Sequence, residues 1–172
     1  FSTPVGKYFY DEKENAIAKK VIGVVTDTDN LAKALQLNII DEALPLHDAV
    51  KQADIIYIAI PVDATVEVAL HVLNMITEKQ VVIDAGSTKL TLCQAVKNHP
   101  MRKQFVASHP MWGTEFSGPQ AAVSGAFAGR ACVICEKDKS SENALSTVEK
   151  LYKQLKMHII YMDAANHDVH AA

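Results

Sequence analysis

The chain has 172 residues, of which 49% are hydrophobic and 22% are charged, and its formal net charge is −3. These values are typical of one soluble globular domain, alone or with a fragment of another, and they allow a sizeable core. The chain has no excess of basic residues that would indicate a nucleic-acid partner. No apolar run approaches the ~18 residues of a membrane span.

The first 20 residues do not resemble the start of a nucleotide-binding domain. Acids stand where a signal peptide needs an apolar stretch, so we expect no signal peptide and a cytoplasmic location. A Rossmann fold opens with a strand and a G-x-G-x-x-G turn, and none of the seven glycines has that spacing after a strand. We therefore expect an atypical segment 1–20, a Rossmann-like nucleotide-binding domain 21–162, and the start of a linker helix at 163–172.

From the first apolar run onward, strands alternate with helices. The predicted strands are Val21–Val25, Asn38–Ile40, Asp54–Ile60, Gln80–Ile83, Phe105–Ala107, Ala131–Cys135 and Met157–Tyr161. The predicted helices are Asp11–Lys20, Leu31–Gln36, His47–Gln52, Asp63–Ile76, Lys89–Lys97, Ser141–Leu155 and Ala164–Ala172, with a helical turn in Gln120–Phe127. This alternation predicts an α/β fold with a doubly wound, mostly parallel sheet, whose first strand and glycine turn are atypical or missing.

Three cysteines are an odd number, which does not indicate a disulfide framework and agrees with a reducing compartment. Cys132 and Cys135 have the CxxC spacing of redox and metal sites. They lie in a predicted strand, where residues three apart point to opposite faces. We interpret them as buried small hydrophobes and predict no metal site.

Polar turns follow two of the predicted strands. Val81–Ile83 runs into Gly86-Ser87-Thr88, and Phe105–Ala107 runs into a loop that carries His109 and Glu115. Open α/β sheets bind ligands at the carboxyl ends of parallel strands. If the two strands are neighbours, the serine, the histidine and the glutamate face one crevice.

His109 is the strongest candidate for acid–base chemistry, because an imidazole with an ordinary pKa near ~6.5 takes up a proton near neutrality. It stands in a small-residue loop with a serine and a glutamate nearby. The remaining histidines are interpreted as structural or surface residues: His47, His71, His99, His158, His167 and His170.

The end of Val21–Val25 is where a Rossmann fold carries an acid that binds the adenosine ribose. Asp27 suits that position, but it is equally suited to cap the following helix. Thr26, which follows an uncharged residue, is also compatible with a phosphorylated ribose. NAD and NADP both remain open, and NAD is preferred.

Two motifs together resemble a known family. Asp84-x-Gly-Ser-Thr-Lys89 and His109-Pro-Met-x-Gly-Thr-Glu-x-Ser-Gly118 are similar to the signature of prephenate and arogenate dehydrogenases, the oxidoreductases of tyrosine and aromatic amino acid biosynthesis. Ala59-Ile-Pro-Val62 and Asp163-Ala-Ala-Asn-His-Asp168 also look like segments of that family. The resemblance runs from about residue 21 to residue 170.

The resemblance implies NAD(P)-dependent oxidative decarboxylation of prephenate to 4-hydroxyphenylpyruvate. His109 matches the family's base for the ring hydroxyl, and Ser87 matches the donor that orients this hydroxyl and the nicotinamide. Glu115 matches a residue that shapes the pocket, which Thr114 and Trp112 border. The nicotinamide is expected near four further residues, namely Ile60, Pro61, Val62 and Gly86. Lys89 is expected to serve the start of its helix or to stay solvated.

Members of the family carry a second, helical domain that forms a homodimer and supplies another histidine and an arginine for the substrate carboxylates. Ala172 falls about where that domain would begin, so we expect a truncated domain that turns over poorly. The alternatives are an arogenate dehydrogenase and a nonenzymatic Rossmann-like binding module, which the missing glycine turn favours.

Overall fold

The computed structural model describes residues 18–24, 27–112, 119 and 125–171. The strands of this part are β1 (Ile22–Gly23), β2 (Glu42–Ala43), β3 (Ile55–Ile58), β4 (Val81–Asp84), β5 (Phe105–Pro110), β6 (Ala131–Cys135) and β7 (His158–Met162). The α-helices are α1 (Thr28–Gln36), α2 (Leu46–Gln52), α3 (Val62–Leu73), α4 (Leu90–Val96), α5 (Glu142–Gln154) and α6 (Ala164–His170).

Five strands form the main sheet, in the order β3-β4-β5-β6-β7. Its neighbouring strands are parallel except for β5 and β6, which are antiparallel. β1 and β2 form a separate parallel pair. The predicted α/β class with a mostly parallel sheet is confirmed.

Helices cover both faces of the main sheet. On one face, α3, α4 and α6 contribute Val72, Val96 and Ala164 to a core cluster that we call the α4-side core. On the other face, α5 contributes Val148 and Tyr152 to a second cluster, the α5-side core. The central strands β4, β5 and β6 are buried on both faces, so their apolar residues run without interruption, as the sequence pattern indicated, whereas the edge strands β3 and β7 are partly exposed.

Side-chain caps fix the starts of three helices. Asp27 accepts the backbone N–H groups of residues 29 and 30 at the start of α1. Ser141 accepts the N–H of Ala144 at the start of α5, and Asp163 accepts that of Asn166 at the start of α6. Each cap satisfies backbone donors that have no partner within the helix.

The strand predicted at Asn38–Ile40 is wrong. Asn38 has a φ of 51°, a left-handed conformation that ends the α1 turn, and Ile39 and Ile40 pack into a small cluster with Ala34. The strand forms later, at Glu42–Ala43, where it pairs with β1. The helix predicted at Asp11–Lys20 and the turn predicted at Gln120–Phe127 lie mostly outside the described residues.

β5 extends beyond its predicted end at Ala107. The sequence placed His109 in a loop, but the structure places it within the strand, paired with Val133. The reason is the antiparallel neighbour β6, which continues the ladder to Pro110 and Cys132. The backbone of His109 is therefore held by a sheet rather than by a loop.

Cys132 and Cys135 lie on opposite faces of β6, as predicted. Cys132 belongs to the α5-side core and Cys135 to the α4-side core, and both thiols are free. Burial raises the pKa of each thiol to about 12.

Among the described residues, no helix has the length and apolarity that crossing a membrane requires.

Candidate active site

The carboxyl ends of β4 and β5 lie side by side. The two strands are parallel neighbours, with Asp84 paired to Ala107. The turn that carries Ser87 follows Asp84, and His109 stands two residues beyond Ala107. The predicted adjacency of these strands is confirmed, and Ser87 is exposed in its turn.

His109 is half-buried and is the first member of a chain of hydrogen bonds. Its Nδ1 lies 3.0 Å from Nε2 of His167, and the two rings meet edge to face with centroids 5.1 Å apart. His167, on α6, is 1% exposed, and its Nδ1 lies 2.7 Å from Oδ1 of Asp168. This series of hydrogen bonds thus connects β5 to α6.

Asp168 anchors this chain to the start of α4. Its Oδ1 accepts the backbone N–H of Lys89 at 2.7 Å, and its Oδ2 accepts that of Leu90 at 2.9 Å. Burial opposes ionisation, but the hydrogen bonds from Leu90, His167 and Lys89 lower the pKa of Asp168. The carboxylate is therefore an acceptor at neutral pH.

These contacts determine the tautomers. Because the Asp168 carboxylate only accepts, Nδ1 of His167 donates to it, and Nε2 of His167 is left as an acceptor. Nδ1 of His109 then donates to that Nε2. The proton of the neutral His109 ring sits on Nδ1, and its Nε2 carries a lone pair that accepts no hydrogen bond from residues 18–24, 27–112, 119 and 125–171.

The pKa of His109 is lowered to about 4, mainly because the ring is buried and further because His167 and the Lys89 ammonium disfavour a positive charge on it, while Asp168 opposes the shift. The imidazole is consequently neutral at pH 7. A neutral imidazole with its lone pair on Nε2 is the form that accepts a proton from a bound hydroxyl.

Lys89 is not solvated, and this part of the sequence prediction is wrong. Its side chain is fully buried, and its ammonium is paired with the Asp84 carboxylate and donates to the carbonyl of Ser108 at 2.9 Å. Burial lowers the pKa of Lys89 to about 8, which leaves the amine protonated at neutral pH. The pair joins the ends of β4 and β5.

A second polar chain crosses the α5-side core beneath these strand ends. The Ser108 hydroxyl donates to the carbonyl of Asp84 at 2.6 Å and lies 2.7 Å from the hydroxyl of Tyr152. Tyr57 lies 3.2 Å from Tyr152. Because the serine proton goes to a carbonyl, Tyr152 donates to Ser108 and Tyr57 donates to Tyr152.

Two of the four residues predicted to lie near the nicotinamide line one cleft. Val62 and Gly86 line it together with the first turns of α3 and α4, and its volume is about 280 Å³. Ile60 is half-buried in the α4-side core, and Pro61 caps α3 at the surface. A Cβ on Gly86 would lie 3.1 Å from Oδ1 of Asp84, a tight contact that would require a shift of a few tenths of an ångström, and 3.6 Å from Cγ1 of Val62, an ordinary van der Waals distance.

Asp27 acts as the helix cap that was one of its two predicted roles. Only its Oδ1 takes part in the cap, accepting two backbone N–H groups at 2.9 Å each. The residue is exposed, and its Oδ2 faces no described donor. Thr26 lies outside the described residues.

Trp112 is half-buried at the end of the site. Its ring packs on the α5-side core, and the guanidinium of Arg130 stands 5.0 Å from the ring centre. Among the described residues, its Nε1 has no hydrogen-bond partner. Thr114 and Glu115 lie outside the described residues.

Sequence reasoning missed His167, Asp168 and Lys89 as parts of the site. His167 was interpreted as a structural or surface residue because one histidine in a short helix carries no signal by itself. The available signal was the adjacent pair His167-Asp168 within the segment Asp163-Ala-Ala-Asn-His-Asp168, which resembles a family segment.

Comparison with known proteins settles the family. Residues 11–161 match the family model described as prephenate dehydrogenase, nucleotide-binding domain. The chain belongs to the prephenate dehydrogenase family.

Individual relatives agree with this assignment. A prephenate dehydrogenase of Bacillus subtilis is 31% identical over 159 residues, which are 91% of this chain and 43% of that protein. A cyclohexadienyl dehydrogenase of Zymomonas mobilis is 27% identical over 139 residues, which are 80% of this chain and 46% of that protein. The chain therefore spans less than half the length of these curated relatives.

A solved structure confirms the fold. The crystal structure of prephenate dehydrogenase from A. aeolicus in complex with hydroxyphenyl propionate and NAD+ matches with a TM-score of 0.81. The match is 24% identical and covers 96% of this chain and 56% of that chain.

Acid should destabilise the chain through His109. Because the folded pKa of about 4 lies below the ordinary 6.5, the unfolded chain binds more protons between these values. We expect the free energy of unfolding to fall as the pH is lowered through this window, and the fall to be smaller in His109→Gln. Urea unfolding of the full chain at a series of pH values measures both slopes. His71→Gln, which replaces an exposed histidine, should keep the parental slope, and an equal slope in His109→Gln would contradict the expectation.

Proposed function

We propose that the whole protein is a prephenate dehydrogenase, which oxidises and decarboxylates prephenate to 4-hydroxyphenylpyruvate with a nicotinamide cofactor. The observation that carries this proposal is the hydrogen-bonded series His109–His167–Asp168, which places the His109 proton on Nδ1 and leaves Nε2 as the acceptor nitrogen near the carboxyl ends of β4 and β5. Membership of the family supports the same chemistry.

In this mechanism His109 is the base for the proton of the ring hydroxyl. Its Nε2 accepts that proton as the hydride leaves the carbon that bears the hydroxyl. The bond to the ring carboxylate then breaks, CO₂ departs, and the ring becomes aromatic. The proton returns from Nε2 to the phenolic oxygen, so that His109 ends in its starting form.

Ser87, His167 and Asp168 support the action of His109. The exposed hydroxyl of Ser87 orients the ring hydroxyl toward His109. His167 and Asp168 keep the His109 proton on Nδ1 and stabilise the imidazolium that forms, as an aspartate does for the histidine of a serine protease triad. Trp112, Thr114 and Glu115 are assigned to the substrate pocket.

The nicotinamide nucleotide supplies the hydride acceptor. The residues present fit its nicotinamide end, because Val62 offers an exposed apolar surface and Gly86 permits a close approach. Ile60 and Pro61 would complete this wall. Thr26 and Asp27 would hold the adenosine ribose, and the carboxylate at this position favours NAD over NADP.

Binding of the two substrate carboxylates is assigned to other parts of the whole protein. Such groups require cations, and the ammonium of Lys89 is committed to Asp84 and Ser108, while Arg130 stacks on Trp112. The relatives are about twice the length of the matched region. We assign the missing cations and the homodimer contact to a further helical domain, and we place the enzyme in the cytoplasm.

The decisive experiment is a steady-state assay of the whole protein. It should reduce NAD+ in the presence of prephenate, and His109→Asn should lose at least about 10²-fold in kcat, as loss of a general base does. His71→Gln should retain full activity. Rates with prephenate and with arogenate distinguish the two dehydrogenases. A protein that binds NAD+ in calorimetry but oxidises neither compound would be the nonenzymatic module instead.

Asp168→Asn should abolish catalysis without removing the base. An asparagine amide that donates to Nδ1 of His167 reverses both tautomers, so that Nε2 of His109 carries the proton and cannot accept another. We expect kcat to fall on the order of 10²- to 10⁴-fold, with little change in the Kd of NAD+. An unchanged kcat would contradict the tautomer assignment. His170→Gln, on the same helix, is the control.

Asp27 can be tested for its two roles separately. Asp27→Asn keeps an oxygen for the cap but removes the charge, so we expect thermal stability to persist while the Kd of NAD+ rises about tenfold, the worth of a charged hydrogen bond. Asp27→Ala should also lower stability by about 1 kcal/mol. Calorimetry measures the Kd of NAD+, and thermal unfolding measures the change in stability. If the asparagine variant binds NAD+ as the parent does, the residue is a cap alone.

A further inference from the structure

Lys89 contacts four elements of the site at once. Its ammonium pairs with Asp84 at the end of β4 and donates to the carbonyl of Ser108 in β5. Its backbone N–H, at the start of α4, donates to Asp168 on α6 at 2.7 Å. The Lys89 and Asp84 side chains are both fully buried.

Stability alone does not account for this buried pair. Removing a carboxylate and an ammonium from water is costly, and well-packed apolar residues at such places often give equal or greater stability. The neighbourhood is already apolar, since Leu92, Cys93 and Ala107 belong to the α4-side core. A pair retained under these conditions points to a geometric role.

The contacts show what the pair fixes. Asp84 and Lys89 close the short turn that holds Ser87, and Oδ1 of Asp84 also accepts the N–H of Gly86 at 2.9 Å. On the other side, the ammonium holds the carbonyl of Ser108, the residue just before His109. A single ammonium therefore sets the separation between the serine turn and the imidazole.

We propose that Lys89, through its pair with Asp84, is the positioning residue that holds Ser87 and His109 at their working separation. This inference rests on the proposed dehydrogenase function. Displacement of reacting groups by about 1 Å costs on the order of 10²-fold in rate, so the pair acts on kcat rather than on cofactor binding. Its positive charge also lowers the pKa of His109, after the effects of burial and of His167.

The test compares a broken pair with a pair removed as a whole, in the whole protein. Lys89→Met leaves the Asp84 carboxylate buried and unpaired and should unfold at a lower temperature. Asp84→Asn combined with Lys89→Met removes both charges, keeps the oxygen that Gly86 contacts, and should recover most of the thermal stability. We expect this double variant to lose at least tenfold in kcat with prephenate while the KM for NAD+ changes less than twofold. Lys153→Met, which breaks an exposed pair with Glu149, should match the parent.

A merely structural role predicts a different result. If the double variant recovers stability and also has a kcat within twofold of the parent, the proposal is overturned. Should the double variant not fold, Asp84→Asn alone decides, because its one amide oxygen still accepts from the ammonium beside the Ser108 carbonyl, while the Gly86 N–H loses its acceptor. A fivefold or larger loss of kcat supports the proposal, and a parental kcat overturns it.

A second measurement separates this inference from the proposed function. The titration of His109 followed by NMR does not depend on turnover, and loss of the lysine charge should raise the pKa of His109 in Lys89→Met, where the Asp84 carboxylate remains. If the parent protein does not oxidise prephenate, the dehydrogenase proposal fails, but the titration still tests the link between Lys89 and His109. An unshifted titration in that variant overturns this link.

Discussion

The buried ion pair between Lys89 and Asp84 is the contact on which the rest of the site depends. It ties the ends of two parallel strands, in addition to the backbone ladder that ends at Asp84 and Ala107 and to the hydrogen bond from the Ser108 hydroxyl to the Asp84 carbonyl. The backbone N–H of the same lysine holds Asp168, and this carboxylate orients the histidines. Four secondary-structure elements are thereby held around one crevice by polar contacts, of which the Lys89–Asp84 pair is fully buried and those of Asp168 are partly exposed.

The base is held by regular structure on every side. His109 lies within a sheet because the antiparallel strand β6 extends its ladder, and its Nδ1 is bound by a helix residue that is almost fully buried. A side chain restrained in this way keeps its orientation without help from a ligand. The one ring nitrogen left for chemistry, Nε2, is the one that the proposed reaction uses.

Much of the fold was predictable, because buried parallel strands and amphipathic helices leave clear periodic patterns. The strand Ala131–Cys135 and the opposite orientation of its cysteines agree with the pattern. What failed depended on tertiary contacts. The direction of β6 has no sequence signature when both faces are buried, so the true end of β5 could not be foreseen. Asn38–Ile40 has apolar residues suited to a strand, but packing against α1 uses them instead.

The sequence indicated two residues of the candidate site, but not the network of hydrogen bonds around them. Ser87 and His109 each follow an apolar run in the sequence, which is a local signal, although the structure places His109 within β5. The burial of Lys89 cannot be predicted from the local sequence, because a lysine at a helix start is ordinarily solvated. Only the packed structure shows that its ammonium pairs with Asp84. The contact of His167 with His109 likewise depends on the position of α6 against β5.

The placement of the cysteines has a consequence for the behaviour of the protein in oxidising solvent. All three thiols are buried, and burial raises their pKa values, so the reactive thiolate is both scarce and shielded. Cys132 and Cys135 cannot be bridged while β6 is intact, since the sheet itself stands between them. An alkylating reagent reaches them only when the central strands separate, and the speed of labelling consequently reports how often the folded domain opens.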